Sequence, residues 1–464
     1  MDEVHSSSRR SFVAQAAVAA ASAGAGPPRR PNILLLFPDQ LRGDWIGNPA
    51  IPVRTPNLDA LGRRGMRFTR AVVGSPVCAP SRACLASGRE YDGCGVINNA
   101  YDYPTGQSTY YRILRDHGYH TMACGKIDLH KKTLYWGLDG KHRLDEWGFS
   151  GGVDNAGKRD ATRSGAVEPK DPFMAFLHGR GLAARHVADY SSRKDYSATF
   201  PTPLPDDAYC DNWLANNGLE LLRRSPRGKP WHLAVNFCGP HEPMDITAGM
   251  EKRVRGREFP QPNRNTQFPA STHTAIRQNY AAMIENIDRW VGIYMAELRR
   301  RGELDNTIVV FSSDHGEMLG DHDRWEKPVP YQASVGVPLI VAGPGETSDA
   351  LVSVVDFAAT FLDYAGVGVP RDMDSRSLRA VLERRTRSHR EYVLSGLNHW
   401  RMVQDGRYKL ITGFDDTKPR DQQGPEAKNR PPILFDHSSD PLENENAAAR
   451  NEEQVNRLSK LLRG

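Results

Sequence analysis

Residues 32–40 read NILLLFPDQ, an apolar run that ends at once in a proline, a carboxylate and a carboxamide. A half-exposed strand alternates polar and apolar residues. An unbroken run reads instead as a strand buried on both faces, as in a parallel sheet covered by helices. Three further segments repeat the design. Tyr119–Cys124 leads into Gly125-Lys126, His232–Phe237 leads into Gly239-Pro240-His241, and Thr307–Phe311 leads into Ser312-Ser313-Asp314-His315. Between them Tyr280, Met283, Ile284, Ile287, Val291, Tyr294, Met295 and Leu298 recur at helical spacing, and the pattern stops at Gly302, which predicts a C-terminal cap there. The chain is therefore expected to be α/β. In such sheets ligands bind outside the carboxyl ends of the strands, so Asp39, Lys126, His241 and Asp314 are predicted to converge on one rim.

Residues 75–90, SPVCAPSRACLASGRE, fit the same rim. Pro80 suits the first turn of a helix and Gly88 its end, which places Cys78 at a helix N-terminus, where backbone N–H groups favour an anion. Arg82 adds a fixed positive charge in that turn. At this point Cys78 can be a catalytic thiol, a metal ligand, half of a disulfide or the precursor of another group.

The 464 residues are enough for a large core and more than one domain. Hydrophobic content is 39%, and no run approaches the length of a membrane span, so the chain reads as a soluble protein. The formal charge is only +5, and Arg9, Arg10, Arg29 and Arg30 all precede the first strand, which leaves a near-neutral body and no case for nucleic-acid binding. Ser8-Arg9-Arg10-Ser11-Phe12, followed by an Ala/Val stretch ending in Ala21-Ser22-Ala23, predicts a twin-arginine export signal over residues 1–30 and a periplasmic or extracellular destination. Cys78, Cys84, Cys94, Cys124, Cys210 and Cys238 form no paired CxxC arrangement, so a structural zinc site is not expected. Export of an already folded chain also argues against disulfides.

Cys78-Ala79-Pro80-Ser81-Arg82, followed by Ala86-Ser87-Gly88-Arg89, resembles the sulfatase signature, in which the cysteine of C-x-P-S-R is oxidised to formylglycine (3-oxoalanine). The resemblance runs from Pro31-Asn32-Ile33 through Ser313–His322 and Val337-Pro338-Leu339-Ile340 to Leu434-Phe435-Asp436 and Asp440-Pro441. It implies an alkaline-phosphatase-like central sheet flanked by helices over residues 31–375, with a variable insert at 131–230. A smaller C-terminal α+β subdomain, residues 376–464, would hold the strand Tyr408–Ile411.

The resemblance also implies the chemistry. A geminal diol at position 78 attacks the sulfur of a sulfate ester, and its second hydroxyl then expels sulfate. The implied metal ligands are Asp39, Gln40, Asp314, His315 and position 78, around one divalent cation. Oxygen-rich ligation favours Ca2+, with Mn2+ or Mg2+ as alternatives. Gln40 and His315 stand where many relatives have an aspartate and an asparagine. By the same resemblance His241 protonates the leaving oxygen, Lys126 and Lys327 bind the sulfate, and Arg82 holds the hydroxyls of residue 78. Asp128 replaces a histidine that many relatives carry, and His130 is expected to substitute for it as a substrate ligand. The implied partners are a sulfated small molecule or carbohydrate and, during maturation, a formylglycine-generating enzyme.

Three other readings compete. A phosphonate monoester or phosphodiester hydrolase of the same superfamily shares the Asp-Gln and Asp-His pairs. A cysteine-thiolate hydrolase would need a histidine base and no metal ligands. A binding protein on an inactive scaffold would not keep the catalytic positions. The insert, with Trp136, His142, Trp147 and His178, reads as a substrate lid or a solvated elaboration, and Asn398, His399 and Trp400 as a further wall.

Overall fold

The computed structural model describes residues 30–342, 345–419 and 422–462. The export signal predicted over residues 1–30 lies almost wholly outside the described residues. Strand β1 (Asn32–Leu36) explains how an unbroken apolar run is used. Ile33 and Leu35 enter one core and Leu34 and Leu36 the other, all fully buried, because successive side chains of a strand point to opposite faces. Strand β6 (Thr307–Phe311) does the same, with Val310 on one face and Val309 and Phe311 on the other.

The other strands are β2 (Gly65–Val72), β3 (His120–Gly125), β4 (Gly151–Asp154), β5 (Trp231–Asn236), β7 (Gly336–Ala342) and β8 (Glu346–Ser353). The eight form one sheet in the order β4-β3-β5-β1-β6-β7-β2-β8. From β4 to β6 every pairing is parallel, as expected. The far side departs from the expectation of a parallel sheet: β7 runs antiparallel to both β6 and β2, and β8 returns parallel to β2. All four strand ends named from the sequence belong to the parallel part. The long helix Ala270–Arg301 ends at Gly302, which adopts a left-handed φ of 67° and caps it.

A second sheet near the C-terminus is antiparallel, from β9 (Val393–Leu397) through β10 (Trp400–Gln404) and β11 (Tyr408–Thr412) to β12 (Ile433–Asp436). Val403, Leu410 and Leu434 from this sheet pack with Leu458 of the Glu452–Leu461 helix as a small separate core. The architecture is a large mixed sheet flanked by helices plus a smaller α+β unit.

The stretch 131–230 is more than an elaboration. It supplies the edge strand β4 and the Cys210–Arg224 helix, and Trp136 and Trp147 are core residues with essentially no exposure. Trp400 is likewise buried within β10, Asn398 bonds Asn98, and neither they nor His399 line the cavity at Cys78, unlike the wall expected from this side. Among the described residues no helix is long and apolar enough to cross a membrane.

Candidate active site

The catalytic candidates are delivered by short turns at the carboxyl ends of parallel strands and by one helix start, except Lys327, which comes from the long loop between β6 and β7. Asp39 follows β1, its N–H donating to the Gly239 carbonyl at 3.1 Å, so the turns after β1 and β5 are stitched together. Lys126 follows β3 after Gly125, which has φ 95° and where a Cβ would stand 2.0 Å from the Asn236 carbonyl oxygen, so only glycine fits. Cys78 is the first residue of the Cys78–Ser87 helix, as its prolines suggested, and that helix is capped at Gly88 with φ 65°. The cysteine is 1% exposed.

Asp39, Cys78, Asp314 and His315 each offer a ligand atom within 4.8 Å of all the others, and all four are buried. Cys78 Sγ lies 3.1 Å from His315 Nε2, 3.7 Å from Asp39 Oδ1 and 3.3 Å from Lys126 Nζ. The donor set fits a hard divalent cation that also accepts an imidazole. His315 Nδ1 bonds the Gly316 carbonyl at 3.0 Å, which leaves the Nε2 lone pair facing Asp39 and Asp314 at 3.4 and 3.6 Å. Burial, with Lys327 adding to it, holds the His315 pKa below its ordinary value, so the ring is neutral and available as a ligand. Burial alone would raise Asp39, but Lys126, His241, His315 and Lys327 hold its carboxyl well below the usual range.

Gln40 departs from the expected ligand set. Its side-chain oxygen accepts from Lys327 Nζ, and its side-chain nitrogen donates to Glu242 and Glu317. Only its backbone N–H reaches the cluster, donating to Asp314 Oδ1 at 3.1 Å. It would join an ion by giving up Lys327. Arg82 also differs from its expected role. Its guanidinium is committed to Asp314 Oδ2 at 2.9–3.0 Å, to the Lys126 carbonyl at 2.6 Å and to Asn236 Oδ1 at 3.0 Å. It thereby orients the Asp314 carboxylate, while its Nη2 has no hydrogen-bond partner among the described residues.

His241 and Lys327 meet at the other side of the cysteine, with Nε2 and Nζ 2.6 Å apart. His241 Nδ1 faces Glu242, 2.7 Å from the carbonyl and 2.9 Å from Oε2. Burial works against a charged imidazole, yet the Glu242 carboxylate keeps the His241 pKa raised. Lys327 is also raised, against burial, by Cys78, Glu242 and Asp39. At that separation the Lys327 ammonium donates to an unprotonated His241 Nε2, and a protonated ring would have to part from Lys327, with an anionic oxygen accepting from both.

A cavity of about 170 Å3 opens above these residues. Lys126, Lys327 and His241 line it, as do Lys131, Lys158 and Arg159 from the 131–230 stretch. His130 does not. Its Nε2 pairs with Asp154 at 2.9 Å, and its fully buried ring lies against Trp136 and Trp147, so it serves the core and not the substrate. Asp128 instead holds the cations, 3.3 Å from Lys126 Nζ and 3.0 Å from Lys131 Nζ.

Sequence reasoning missed Glu242, Glu317 and Lys158. Glu317 sits inside the Ser313–His322 motif, two residues after His315, and Glu242 directly follows His241, so proximity was a usable signal. Lys158 had none. Its Nζ reaches back from the Gly157–Gly165 helix to the His241 and Pro243 carbonyls at 3.0 and 3.3 Å and to Asp245 Oδ1 at 2.6 Å.

The sulfatase family model matches residues 31–367, and the model for the C-terminal region of N-sulphoglucosamine sulphohydrolase matches residues 320–463. An arylsulfatase from Clostridium perfringens is 26% identical, with 93% of this chain and 94% of the relative covered. An N-acetylglucosamine-6-O-sulfatase from Bacteroides thetaiotaomicron is 27% identical, over 80% of this chain and 74% of the relative. Among solved structures, the phosphonate monoester hydrolase of Silicibacter pomeroyi shares the fold with a TM-score of 0.77 at 23% identity, covering 93% and 94% of the two chains. With a carboxylate, imidazole and cysteine cluster at the expected strand ends and a family match over most of its length, the chain belongs to the sulfatase family of the alkaline phosphatase superfamily and is a sulfuric ester hydrolase.

Proposed function

We propose that this enzyme hydrolyses the sulfate ester of a sulfated small molecule or carbohydrate, with formylglycine made from Cys78 and one divalent cation. The observation that carries the reading is the place of Cys78. It is buried at a helix start, within 3.1–3.7 Å of His315, Lys126 and Asp39, at the floor of a cavity lined with cations. Asp39, Asp314, His315 and residue 78 would hold the ion, most readily Ca2+, with Mn2+ next. Formylglycine supplies a diol nucleophile, and the ion supplies charge that activates it and neutralises sulfate oxygens.

The chain's own residues do the rest. Lys126 and Lys327 bind anionic oxygens on either side of residue 78. Arg82 fixes Asp314 so that its carboxylate stays oriented. His241, kept protonated by Glu242, delivers a proton to the departing alcohol oxygen. Burial of the whole cluster excludes bulk water and strengthens each of these charge interactions.

Maturation by a formylglycine-generating enzyme should leave the tryptic peptide of residues 71–82 lighter, by the loss of hydrogen sulfide and the gain of one oxygen atom. An active preparation containing only the thiol would overturn the reading. A second reading, hydrolysis of a phosphonate monoester or phosphodiester, draws on Gln40 and His315. With these two residues in place of acidic or amide ligands, Asp39 and Asp314 are the carboxylates left around the ion. A panel of aryl sulfate, sugar sulfates, choline sulfate and phosphodiesters, run on protein with residue 78 verified by mass, separates the two.

A further inference from the structure

Away from the cavity at Cys78, and sharing no lining residue with it, a cleft of about 650 Å3 opens between the Pro172–Gly179, Cys210–Arg224, Ala248–Val254 and Ala270–Arg301 helices. Two partly exposed aromatic rings, Phe176 and Trp213, line it with centroids 6.0 Å apart. Arg253 and Arg289, both exposed, bring two guanidinium groups to the same space.

The lining carries three arginines, Arg180, Arg253 and Arg289, against two carboxylates, Asp206 and Asp207. Arg289 lies over the Trp290 ring at 4.8 Å and donates to the side-chain oxygens of Asn212 at 2.9 Å and Asn286 at 3.1 Å, which are neutral amides. Neither Arg253 nor Arg289 has an ion-pair partner among the described residues. Of the acidic residues on the rim, Asp207 is taken by Arg180 at 2.6 Å. Asp206 is the one that offsets Arg289, while burial and the neighbouring Arg253 hold the Arg289 pKa below its ordinary value. Two like charges that line one concavity and disfavour each other attract an anion.

We propose that this cleft is an accessory binding site for an anionic saccharide, separate from the catalytic cavity. The apolar C–H face of a sugar ring packs on an aromatic face such as Trp213. A planar guanidinium receives a sulfate or carboxylate through paired hydrogen bonds. Asn216 and Asp206 on the rim accept from ring hydroxyls. The choice of sulfate as the anion rests on the catalytic reading; the existence of the site does not. The cleft and the catalytic loop also share one helix start. Asp211 accepts from the Cys238 and Gly239 N–H groups at 2.7 and 3.0 Å, while the next residue, Asn212, holds Arg289 and Trp290.

The test uses full-length protein carrying Cys78→Ala, which cannot turn over the probe. Binding of a heparin-derived octasaccharide is titrated at physiological salt, beside its desulfated, N-acetylated form and ATP. The Arg253→Ala/Arg289→Ala pair and, separately, Trp213→Ala should each weaken octasaccharide binding by about tenfold or more. A charge-matched pair on the last turn of the same helix, Arg299→Ala/Arg300→Ala, should change it by less than about twofold. Hydrolysis of 4-nitrophenyl sulfate by the same variants with Cys78 restored should be unaltered, and this measurement reports on the catalytic reading independently. Equal weakening by the control pair would assign the binding to diffuse charge and overturn the proposal. So would equal affinity for the desulfated form, or displacement of the octasaccharide by ATP.

Discussion

His241 faces the hardest demand at the site, because an alkoxide is a poor leaving group and nitrophenolate is not. His241→Ala should slow cleavage of an alkyl or sugar sulfate by about 10²–10⁴-fold more than that of nitrophenyl sulfate, compared as chemical steps. Equal losses on both substrates would make His241 a binding residue instead. Glu242 sets the range of pH over which that proton is available. It raises the His241 pKa, and activity requiring the protonated ring is lost as pH rises through that value. Glu242→Gln should therefore move the alkaline limb of the rate profile for an alkyl sulfate to lower pH, leaving nitrophenyl sulfate little affected. Asp39, Cys78, Lys126, His241, Asp314 and His315 were legible because each sits in a motif at the end of a strand or the start of a helix, whereas Lys327, in the long loop after β6, was legible only through the family resemblance. His130 was misread for a physical reason. One turn of chain decides whether a ring faces a cavity or the core, and Trp136, Trp147 and Asp154, which claim it, lie beyond the motif.

Among the elements, the Gly157–Gly165 helix braces the turn that carries His241. Lys158→Met removes the three oxygen contacts of a buried ammonium and leaves Asp245 with its charge unpaired, which should destabilise the fold by about 3–5 kcal/mol in a denaturant titration. Retention of full stability would show that the brace is dispensable. At the far end of the Cys78–Ser87 helix, burial pushes Glu90 from 4.5 to about 7, with Arg390 3.4 Å away as its nearest cation. The folded protein thus keeps a proton that the unfolded chain loses. Glu90 contributes a fall in stability of about 1.4 kcal/mol per pH unit between those two values and none above them. Stability of Glu90→Gln should lack that component, and parallel curves for the two proteins would refute it. Strand ends and helix caps could be read from local pattern, as Gly88 and Gly302 were. The reversal of β7 could not, since Val337–Val341 is equally apolar whichever way its neighbours run.

At the scale of the whole molecule, chelation should abolish turnover and added calcium or manganese should restore it; full activity in a chelator would exclude the ion. Arg9→Lys/Arg10→Lys should leave folded enzyme in the cytosol, and unchanged export would refute the address. The division into a large sheet and a small C-terminal unit was implied by the family resemblance, whereas β4 and the Cys210–Arg224 helix were hidden inside a stretch without motifs. The burial of residue 78 also orders events in time. A side chain that is 1% exposed at the floor of a cavity of about 170 Å3 has no room to be presented to the active site of a modifying enzyme in the folded chain. If residue 78 is converted as proposed, the conversion is expected to precede folding, and a chain that folds first is expected to keep its thiol. Native thiol protein mixed with the modifying enzyme should stay unmodified, while the same protein released from denaturant in its presence should gain activity.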